Sequence, residues 1–493
     1  MADGSAGAGL TGVLFSSPWS WFEQEQGTIR YDYLDWVAEA ACSNTGLKVA
    51  FILDMVRAPA WVFAKWPDAR AADSHGREYQ LLSLFHEEAR KLAMQVVGEV
   101  TKHLVDTHRD CVVAVQPVFN NEYEARYTQE HDCYQDYSAP ALTAFRSWLR
   151  ARRPRVEDVN SRWGSSFGSW EELKPPVLEA GSYQGVDMSP KYWDFMRWRE
   201  AAGAEVFNAA CAAVQAAGAL CFHHVPEFFT VLDAVYGTSM IKHIAASPHT
   251  DFLIVDSGLR TPYGTVMNPT KLRMFVGAVV SYGKPVHFEA AVRPDVSSSM
   301  AAYELLGSAA RNALLAGARG LGVTGWLGRL APDAQLAAAL QPPPLECPGG
   351  ARGGELVGVF IHMESCMAWH GLQWHSARKD PLHDFVQDLA DTLSTRCDTD
   401  VVVHVELERF AADLLGSSSS GSGAGAGSSS SRSGGRRFDR IIFVEPLVLT
   451  AKELDTYALV KAAVASLPPT RAAVLRLPAN NTAGVQLQVH EEL

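Results

Sequence analysis

Short apolar runs alternate with longer, helix-like segments from the start of the chain to about residue 324. The runs lie at Thr11–Phe15, Lys48–Leu53, Cys111–Val118, Ala217–Phe222, Phe252–Val255, Pro285–Phe288 and Gly320–Val323. Segments with helical spacing separate them, such as Glu87–Leu104, Tyr192–Ala216 and Met300–Ala316. Continuous apolar strands that are each followed by a helix are typical of a parallel sheet covered on both faces. Seven such units predict an α/β fold of the TIM (β/α)8-barrel type rather than a doubly wound sheet.

The count is one strand short of a closed barrel, and the missing strand is the first. Only ten residues, rich in Gly and Ala, precede Thr11. A strand with its crossover helix needs more, since the crossover alone takes at least about 10–12 residues. We therefore expect seven barrel strands, with the strands at Thr11 and Gly320 on either side of a gap. On this interpretation the chain is an N-terminally incomplete version of a longer protein.

Two stretches that cannot form a core divide the rest of the chain. Gln341–Pro344 and Cys347–Gly354 are rich in Pro and Gly, which predicts a linker at residues 341–355. Gly416–Arg437 is almost wholly Ser and Gly, which predicts a disordered loop insertion. The barrel is thus expected at residues 1–340 and a smaller α/β domain with a parallel sheet at 356–493. The strands and helices of that second domain are predicted at Leu356–Ile361, Asp384–Leu393, Asp400–Val405, Arg440–Val444, Ala451–Ala465 and Ala472–Arg476.

Composition and charge argue against several classes of protein function. Asp and Glu number 55 against 43 Lys and Arg, a net charge of −12, so the chain lacks the basic surface of a nucleic-acid-binding protein. No apolar run reaches the roughly 18–20 residues that cross a bilayer, and Met1–Leu10 does not have the pattern of a signal peptide. We expect a cytoplasmic protein with no membrane or nucleic-acid partner. The eight cysteines form no C-x-x-C pair, which indicates free thiols, no metal site and no cofactor.

Two glutamates follow predicted strands at their C-terminal ends, where enzymes of this architecture carry their chemistry. The strand Cys111–Val118 runs into Asn121 and Glu122, and the strand Pro285–Phe288 runs into Glu289. Strands three places apart project across the same barrel mouth. A facing pair of carboxyl groups can hydrolyse a glycosidic bond, one protonating the leaving oxygen and the other attacking the anomeric carbon. The alternative is that each glutamate only caps the helix that follows its strand.

Other polar and aromatic residues near strand ends are candidate contacts for a sugar. Trp19 and Trp326 follow the first and last visible strands, and indole faces stack on sugar rings, although core packing explains a Trp equally well. His223 is the first of two histidines that end the strand at Phe222. A metal site there needs a third ligand at suitable spacing, which the sequence lacks, so a polar pocket wall is favoured. Tyr263 lies beyond another strand end, where it either touches substrate or caps the loop.

The chain resembles the family 42 β-galactosidases, which belong to the retaining glycosidases built on (β/α)8 barrels. The residues that carry the resemblance are Pro18–Gly27, Arg57–Trp61, Trp66–Asp68, Asp73–Gly76, Gln116–Tyr123, Phe145–Leu149 and, less specifically, Gly283–Glu289. The best-matched part runs from about Gly12 to Pro176. Val357–Glu364 and Phe438–Leu449 are similar to the family's glutamine-amidotransferase-like domain, which has a flavodoxin-like fold.

The resemblance implies roles for several residues. Glu122 would be the acid/base, Glu289 the nucleophile, and Asn121 a contact to the sugar. The second domain would mediate a homotrimer. Many members of the family carry a zinc-binding cysteine cluster after the acid/base loop, whereas this chain has one thiol there, Cys133, so no zinc is expected.

Two functions from different classes are consistent with the sequence. The first is a retaining β-glycoside hydrolase, β-galactosidase-like, acting on a β-galactoside or a related β-glycoside. The second is a catalytically inactive barrel that binds carbohydrate or serves assembly. Departures at the sugar pocket, such as Gly168 and the segment Gly325–Arg329, favour the second function, whereas retention of both glutamates favours the first.

Overall fold

The computed structural model describes residues 11–120, 122–128, 135–177, 190–226, 229, 240–258, 269–291, 300–324, 354–371, 381–394, 399–416, 438–478 and 488–490. The predicted linker and the Ser/Gly segment lie almost wholly outside these residues.

A curled parallel sheet forms the centre of the N-terminal part. Its strands, with one short hairpin, are β1 (Gly12–Pro18), β2 (Lys48–Asp54), β3 (Arg70–Ala72), β4 (Glu78–Leu82), β5 (Val112–Val118), β6 (Leu220–Val225), β7 (Phe252–Gly258), β8 (Val286–Ala291) and β9 (Gly320–Thr324). Seven of these strands pair in the order β1-β2-β5-β6-β7-β8-β9, and β3 and β4 form the antiparallel hairpin. Within the described residues β1 and β9 are the two edges of the sheet, as the strand count predicted.

Helices follow the strands and cover the sheet. They are α1 (Trp19–Phe22), α2 (Asp32–Thr45), α3 (Ala60–Lys65), α4 (Glu87–Thr107), α5 (Ala139–Arg152), α6 (Val156–Trp163), α7 (Pro190–Ala216), α8 (Ile241–Ala246), α9 (Leu272–Val280) and α10 (Met300–Leu315). Two of the starts have clear local causes. The ring of His86 accepts a hydrogen bond from Ala89 N at the start of α4, and Ser138 Oγ accepts one from Ala141 N at the start of α5.

The C-terminal part has a second parallel sheet. Its strands and helices are β10 (Leu356–Phe360), α11 (Met363–Gly371), α12 (Pro381–Ser394), β11 (Asp400–His404), α13 (Leu407–Leu415), β12 (Arg440–Glu445), β13 (Val448–Thr450), α14 (Glu453–Ala465), β14 (Ala472–Arg476) and β15 (Gln488–His490). The four-stranded sheet has the order β11-β10-β12-β14, and β13 pairs with β15. All four strands predicted for this part are present.

The two parts pack closely on each other. Helix α9 of the N-terminal part lies against β11, where a Cβ atom at Gly277 would be only 3.0 Å from Val403 Cγ2. The buried guanidinium of Arg273 donates a 2.8 Å hydrogen bond to Thr399 O. Glycine at 277 therefore allows the helix to approach the second sheet.

The expectation of free thiols is wrong for two pairs of cysteines. Cys42 and Cys111 form a disulfide between α2 and the residue before β5, and Cys211 and Cys221 form another between α7 and β6. The partners are 69 and 10 residues apart in the sequence, so spacing alone did not reveal either pair. None of the helices in the described ranges is long and apolar enough to span a membrane.

Candidate active site

Glu289 lies on β8 near its C-terminal end, in the centre of a short row across three strands. The register pairs it with Asp256 on β7 and Gly322 on β9. Paired residues of parallel strands project to the same face, so Asp256 and Glu289 are neighbours on one face of the sheet. The side chain of Glu289 is only 12% exposed.

His224 holds the carboxylate of Glu289. Its Nε2 lies 2.8 Å from Glu289 Oε2, and its Nδ1 lies 2.5 Å from Gln116 Oε1. Gln116 in turn donates from Nε2 to the carbonyl oxygen of Tyr123, at 2.8 Å. A continuous hydrogen-bonded chain therefore links the loop after β5, through β5 and β6, to the carboxylate on β8.

The direction of these bonds fixes where protons lie. A carbonyl oxygen only accepts, so the amide nitrogen of Gln116 faces Tyr123 and its oxygen faces His224. Nδ1 of His224 must then donate to Gln116. One further proton is needed between Nε2 and Glu289, because two lone pairs would otherwise face each other at 2.8 Å. The pair is therefore either an imidazolium with a carboxylate or a neutral imidazole with a carboxylic acid.

The loop after β5, which carries Glu122, is organised by the buried side chain of Asn120. Asn120 Oδ1 accepts hydrogen bonds from the backbone nitrogens of Glu122 and Glu124, at 2.9 and 3.1 Å, and its Nδ2 donates to Arg126 O. Tyr123 has a φ of +67°, a left-handed conformation that non-glycine residues rarely adopt. Such backbone strain is concentrated at functional sites.

Arg126 lies between two carboxylates of this loop. Its Nη2 bonds Glu122 and its Nε bonds Glu124. The side chain of Glu122 is 53% exposed, whereas Glu124 is buried. Burial raises the pKa of Glu124, and the opposing charge of Arg126 offsets only part of this effect. The exposed carboxylate of the pair is thus the one that can meet a substrate.

The same loop is attached to the end of β6. Ala125 N donates to His224 O at 2.8 Å, and Glu124 and His224 form an isolated parallel bridge. His224 therefore has two contacts: its side chain holds Glu289, and its backbone oxygen anchors the loop of Glu122. This arrangement brings the two predicted glutamates into one connected cluster at the C-terminal ends of β5, β6 and β8.

A second cation lies beside the loop. Arg57, just beyond β2, lies over the ring of Tyr123 at 5.7 Å and forms an ion pair with Asp54, which ends β2. Asp54 is fully buried, and burial raises its pKa despite the charge of Arg57. The two residues belong to the same C-terminal edge of the sheet and contribute polarity to it.

Of the other predicted contacts, Trp19 and His223 are both fully buried. Trp19 is fully buried, with Nε1 donating to Glu23 Oε2 at 2.6 Å and its ring edge-on to Trp61. It presents no exposed face to a sugar, so it fits the packing alternative. His223 is also fully buried and packs on Phe207 of α7. Asn121, Tyr263 and Trp326 lie outside the described residues.

The sequence reasoning gave no role to Gln116 or Arg126. It considered both histidines after Phe222 as a polar pocket wall but chose His223, not His224, as the sugar contact. Period-two alternation was the available signal for Gln116 and His224, because consecutive residues of a strand face opposite sides. Gln116 is the polar residue within an apolar run, and His224 occupies the opposite strand phase to His223. Arg126 follows the strand by several residues, and no spacing rule marks it.

Comparison with known proteins shows the family of the chain. The sequence profile of the family described as "Beta-galactosidase", glycoside hydrolase family 42, matches residues 8–320. The chain belongs to this family. The match covers more than half of the chain and spans the sheet β1 to β8 with both glutamates.

Individual members of the family are distant in sequence. "Beta-galactosidase BgaB" of a Geobacillus species is 24% identical over 198 residues, covering 39% of this chain and 28% of the relative. "Beta-galactosidase" of Thermus thermophilus is 27% identical over 241 residues, covering 46% and 35% respectively. The matched part of the chain thus spans about a third of the length of these curated relatives.

Solved structures support the same architecture. The structure of a polyextremophilic beta-galactosidase from Halorubrum lacusprofundi superposes with a TM-score of 0.66 at 18% identity, covering 97% of this chain and 70% of that one. At this identity the likeness shows the fold alone. The fold of this family 42 chain is accordingly TIM-barrel-like, and its sheet presents seven parallel strands within the described residues.

Proposed function

We propose that this family 42 chain is a retaining β-glycoside hydrolase in which Glu289 is the nucleophile and Glu122 the acid/base. The contact between His224 and Glu289 carries the proposal. It fixes a nearly buried carboxylate at a strand end, and the same histidine anchors the loop of a second, exposed carboxylate. A structural helix cap needs no such partner.

The geometry supports a double displacement. Glu289 attacks the anomeric carbon while Glu122 protonates the departing oxygen, and Glu122 then takes a proton from the water that releases the sugar. The hydrogen bond from His224 holds the carboxyl group of Glu289 in place for attack. When Glu122 is protonated, Arg126 keeps Glu124 as its ionic partner, so the buried cation is never left alone.

The substrate class follows from the family. The named relatives are β-galactosidases, so we infer that the substrate is a β-galactoside or a related β-glycoside. Asn121 remains the proposed contact to the sugar. Retention requires carboxyl groups about 5–5.5 Å apart, and a crystal structure with a bound sugar is expected to give that distance between Glu122 and Glu289.

The C-terminal part is proposed to be the amidotransferase-like domain at residues 356–493. Its strands, numbered by order in the chain, lie side by side as second, first, third and fourth. This order is the one that flavodoxin-like doubly wound folds begin with, which supports the assignment. By the family resemblance the domain is expected to mediate a homotrimer.

A panel of nitrophenyl β-glycosides tests the activity on the full chain. We expect hydrolysis of at least one β-glycoside with retention of the anomeric configuration, read by proton NMR. Glu289→Gly is expected to lower kcat by at least about 10⁴-fold, because no covalent intermediate can then form. Glu122→Gly is expected to keep a fast first release of good aryl leaving groups, since these need no proton, whereas the later hydrolysis of the glycosyl-enzyme should slow because its base is gone.

Glu304→Gln is the matched control, because Glu304 is an exposed glutamate on α10 away from the cluster. It is expected to leave activity unchanged. An inverted product would contradict the assigned mechanism. Binding of sugars without hydrolysis of any glycoside would instead favour the catalytically inactive barrel.

A further inference from the structure

Three metal-ligating side chains meet on the helix-facing side of β6. Cys221 and His223 are two residues apart on this strand and so share a face, and Cys211 of α7 lies against them. Cys211 Sγ is 3.1 Å from His223 Nε2, and one ligand atom from each residue lies within 4.8 Å of the others. All three residues are fully buried.

Their spacing suits a metal ion with little backbone movement. Zinc binds sulfur at about 2.3 Å and imidazole nitrogen at about 2.0–2.1 Å, which places neighbouring ligand atoms about 3.3–4 Å apart. The Cα atoms of Cys211 and Cys221 are 5.4 Å apart. Rotation of the two cysteine side chains can therefore open the sulfur–sulfur contact to that spacing.

The donor set is also chemically suited to a soft cation. Two thiolates with an imidazole are ligands that select zinc or copper(I) over hard cations such as magnesium. A neutral imidazole donates a lone pair to such an ion, and the ring of His223 is fully buried against Phe207. Its Nδ1 has no hydrogen-bond partner among the described residues.

We propose that Cys211, Cys221 and His223 form a redox-sensitive site for a thiophilic d¹⁰ cation, with Zn²⁺ the expected ion. The reduced pair binds the ion as two thiolates, releasing their protons. A small-molecule disulfide oxidises the site: the thiolates lose two electrons and form the Cys211–Cys221 bond. The oxidant's sulfur–sulfur bond breaks, and its halves take up the two electrons and two protons as thiols. The ion then leaves.

The second disulfide provides an internal comparison. Cys42 and Cys111 are also close enough to bond, yet they are not part of any three-residue ligand group in the described ranges. A pair of cysteines alone offers too few ligands for a tight zinc site. The proposal therefore predicts that one pair supports metal binding and the other does not.

Metal analysis of the full chain tests the proposal. The chain is reduced with a phosphine, incubated with Zn²⁺, and freed of excess ion by gel filtration. The Cys42→Ser/Cys111→Ser variant is expected to retain the same zinc per chain as the wild type. The Cys211→Ser/Cys221→Ser variant is expected to retain one zinc less per chain. Oxidised glutathione is expected to release that zinc in step with the Cys211–Cys221 disulfide, which peptide mass spectrometry measures.

His223→Gln keeps both cysteines, which can still form the disulfide. It therefore tests the site even if the Cys211→Ser/Cys221→Ser variant does not fold. It is expected to weaken zinc affinity at least tenfold in a competition with a chromophoric chelator. Co²⁺ or Cd²⁺ in place of zinc should show thiolate charge-transfer absorption in the wild type and not in the Cys211→Ser/Cys221→Ser variant. Equal zinc in both double variants, or no zinc in the reduced wild type, would overturn the proposal.

Discussion

The proton shared by His224 and Glu289 is the central feature of the site at the scale of single residues. The carbonyl oxygen of Tyr123 determines the position of this proton. It orients the side-chain amide of Gln116, and Gln116 in turn orients the imidazole of His224. Both glutamates could be singled out from the sequence, because Glu289 directly follows an apolar run and Glu122 comes four residues after the end of another. Which histidine contacts Glu289 could not be predicted, since two consecutive histidines lie near the end of β6 and only the strand phase decides which one faces Glu289.

Replacement of His224 tests this arrangement. His224→Phe removes a charged hydrogen bond worth about 1.5–3 kcal/mol, so kcat should fall by about 10–100-fold with a smaller change in KM. His224→Gln can still donate to Glu289 and should recover part of the loss. His249→Ala is the control, since His249 bonds Gln215 instead. Equal losses for the Phe and Gln variants, or a change in KM alone, would argue against a role through Glu289.

At the scale of elements, the described part of the loop after β5 is held by side-chain and backbone hydrogen bonds although it has no regular structure. One buried amide, Asn120, satisfies two backbone nitrogens and one carbonyl, and the backbone of Ala125 is bound to β6. The strands themselves were predicted within a few residues, because buried parallel strands are continuous apolar runs. The hairpin β3–β4 was not predicted, since its strands are short and partly polar.

Asn120→Ala tests the loop. Buried backbone groups would lose their partners, which is expected to cost about 1–3 kcal/mol of unfolding free energy and to lower kcat as Glu122 loses its position. Asn160→Ala is a matched control, because Asn160 organises the 160–167 turn in the same way through Phe167 and Ser165. It should cost similar stability in urea unfolding with kcat unchanged. If both variants lose activity alike, the loss reflects general destabilisation.

At the scale of the molecule, an ionic cluster joins the two parts of the chain. Glu364 of α11 lies 2.8 Å from Lys242 of α8 and 3.4 Å from Arg197 of α7. Burial alone would raise the pKa of Glu364, but the two cations hold it well below its usual range. No pattern in the sequence predicted this contact, because it depends on how the two parts of the chain pack on each other.

Glu364→Gln is expected to lower the stability of the chain in a pH-dependent way. At pH 7 the variant leaves two cations without their carboxylate, and with side chains that are 15–23% exposed we expect a loss of about 2–3 kcal/mol, below the range for fully buried pairs. A depressed pKa stabilises the folded state above the unfolded value of about 4.3, and this contribution disappears as the pH falls below it. Urea midpoints of wild type and variant should therefore differ most near pH 7 and converge as the pH falls below 4. Glu88→Gln, which breaks an exposed pair with Lys91, should change the midpoint little at either pH. A loss that is the same at both pH values would mean that Glu364 stabilises the junction by packing rather than by its charge.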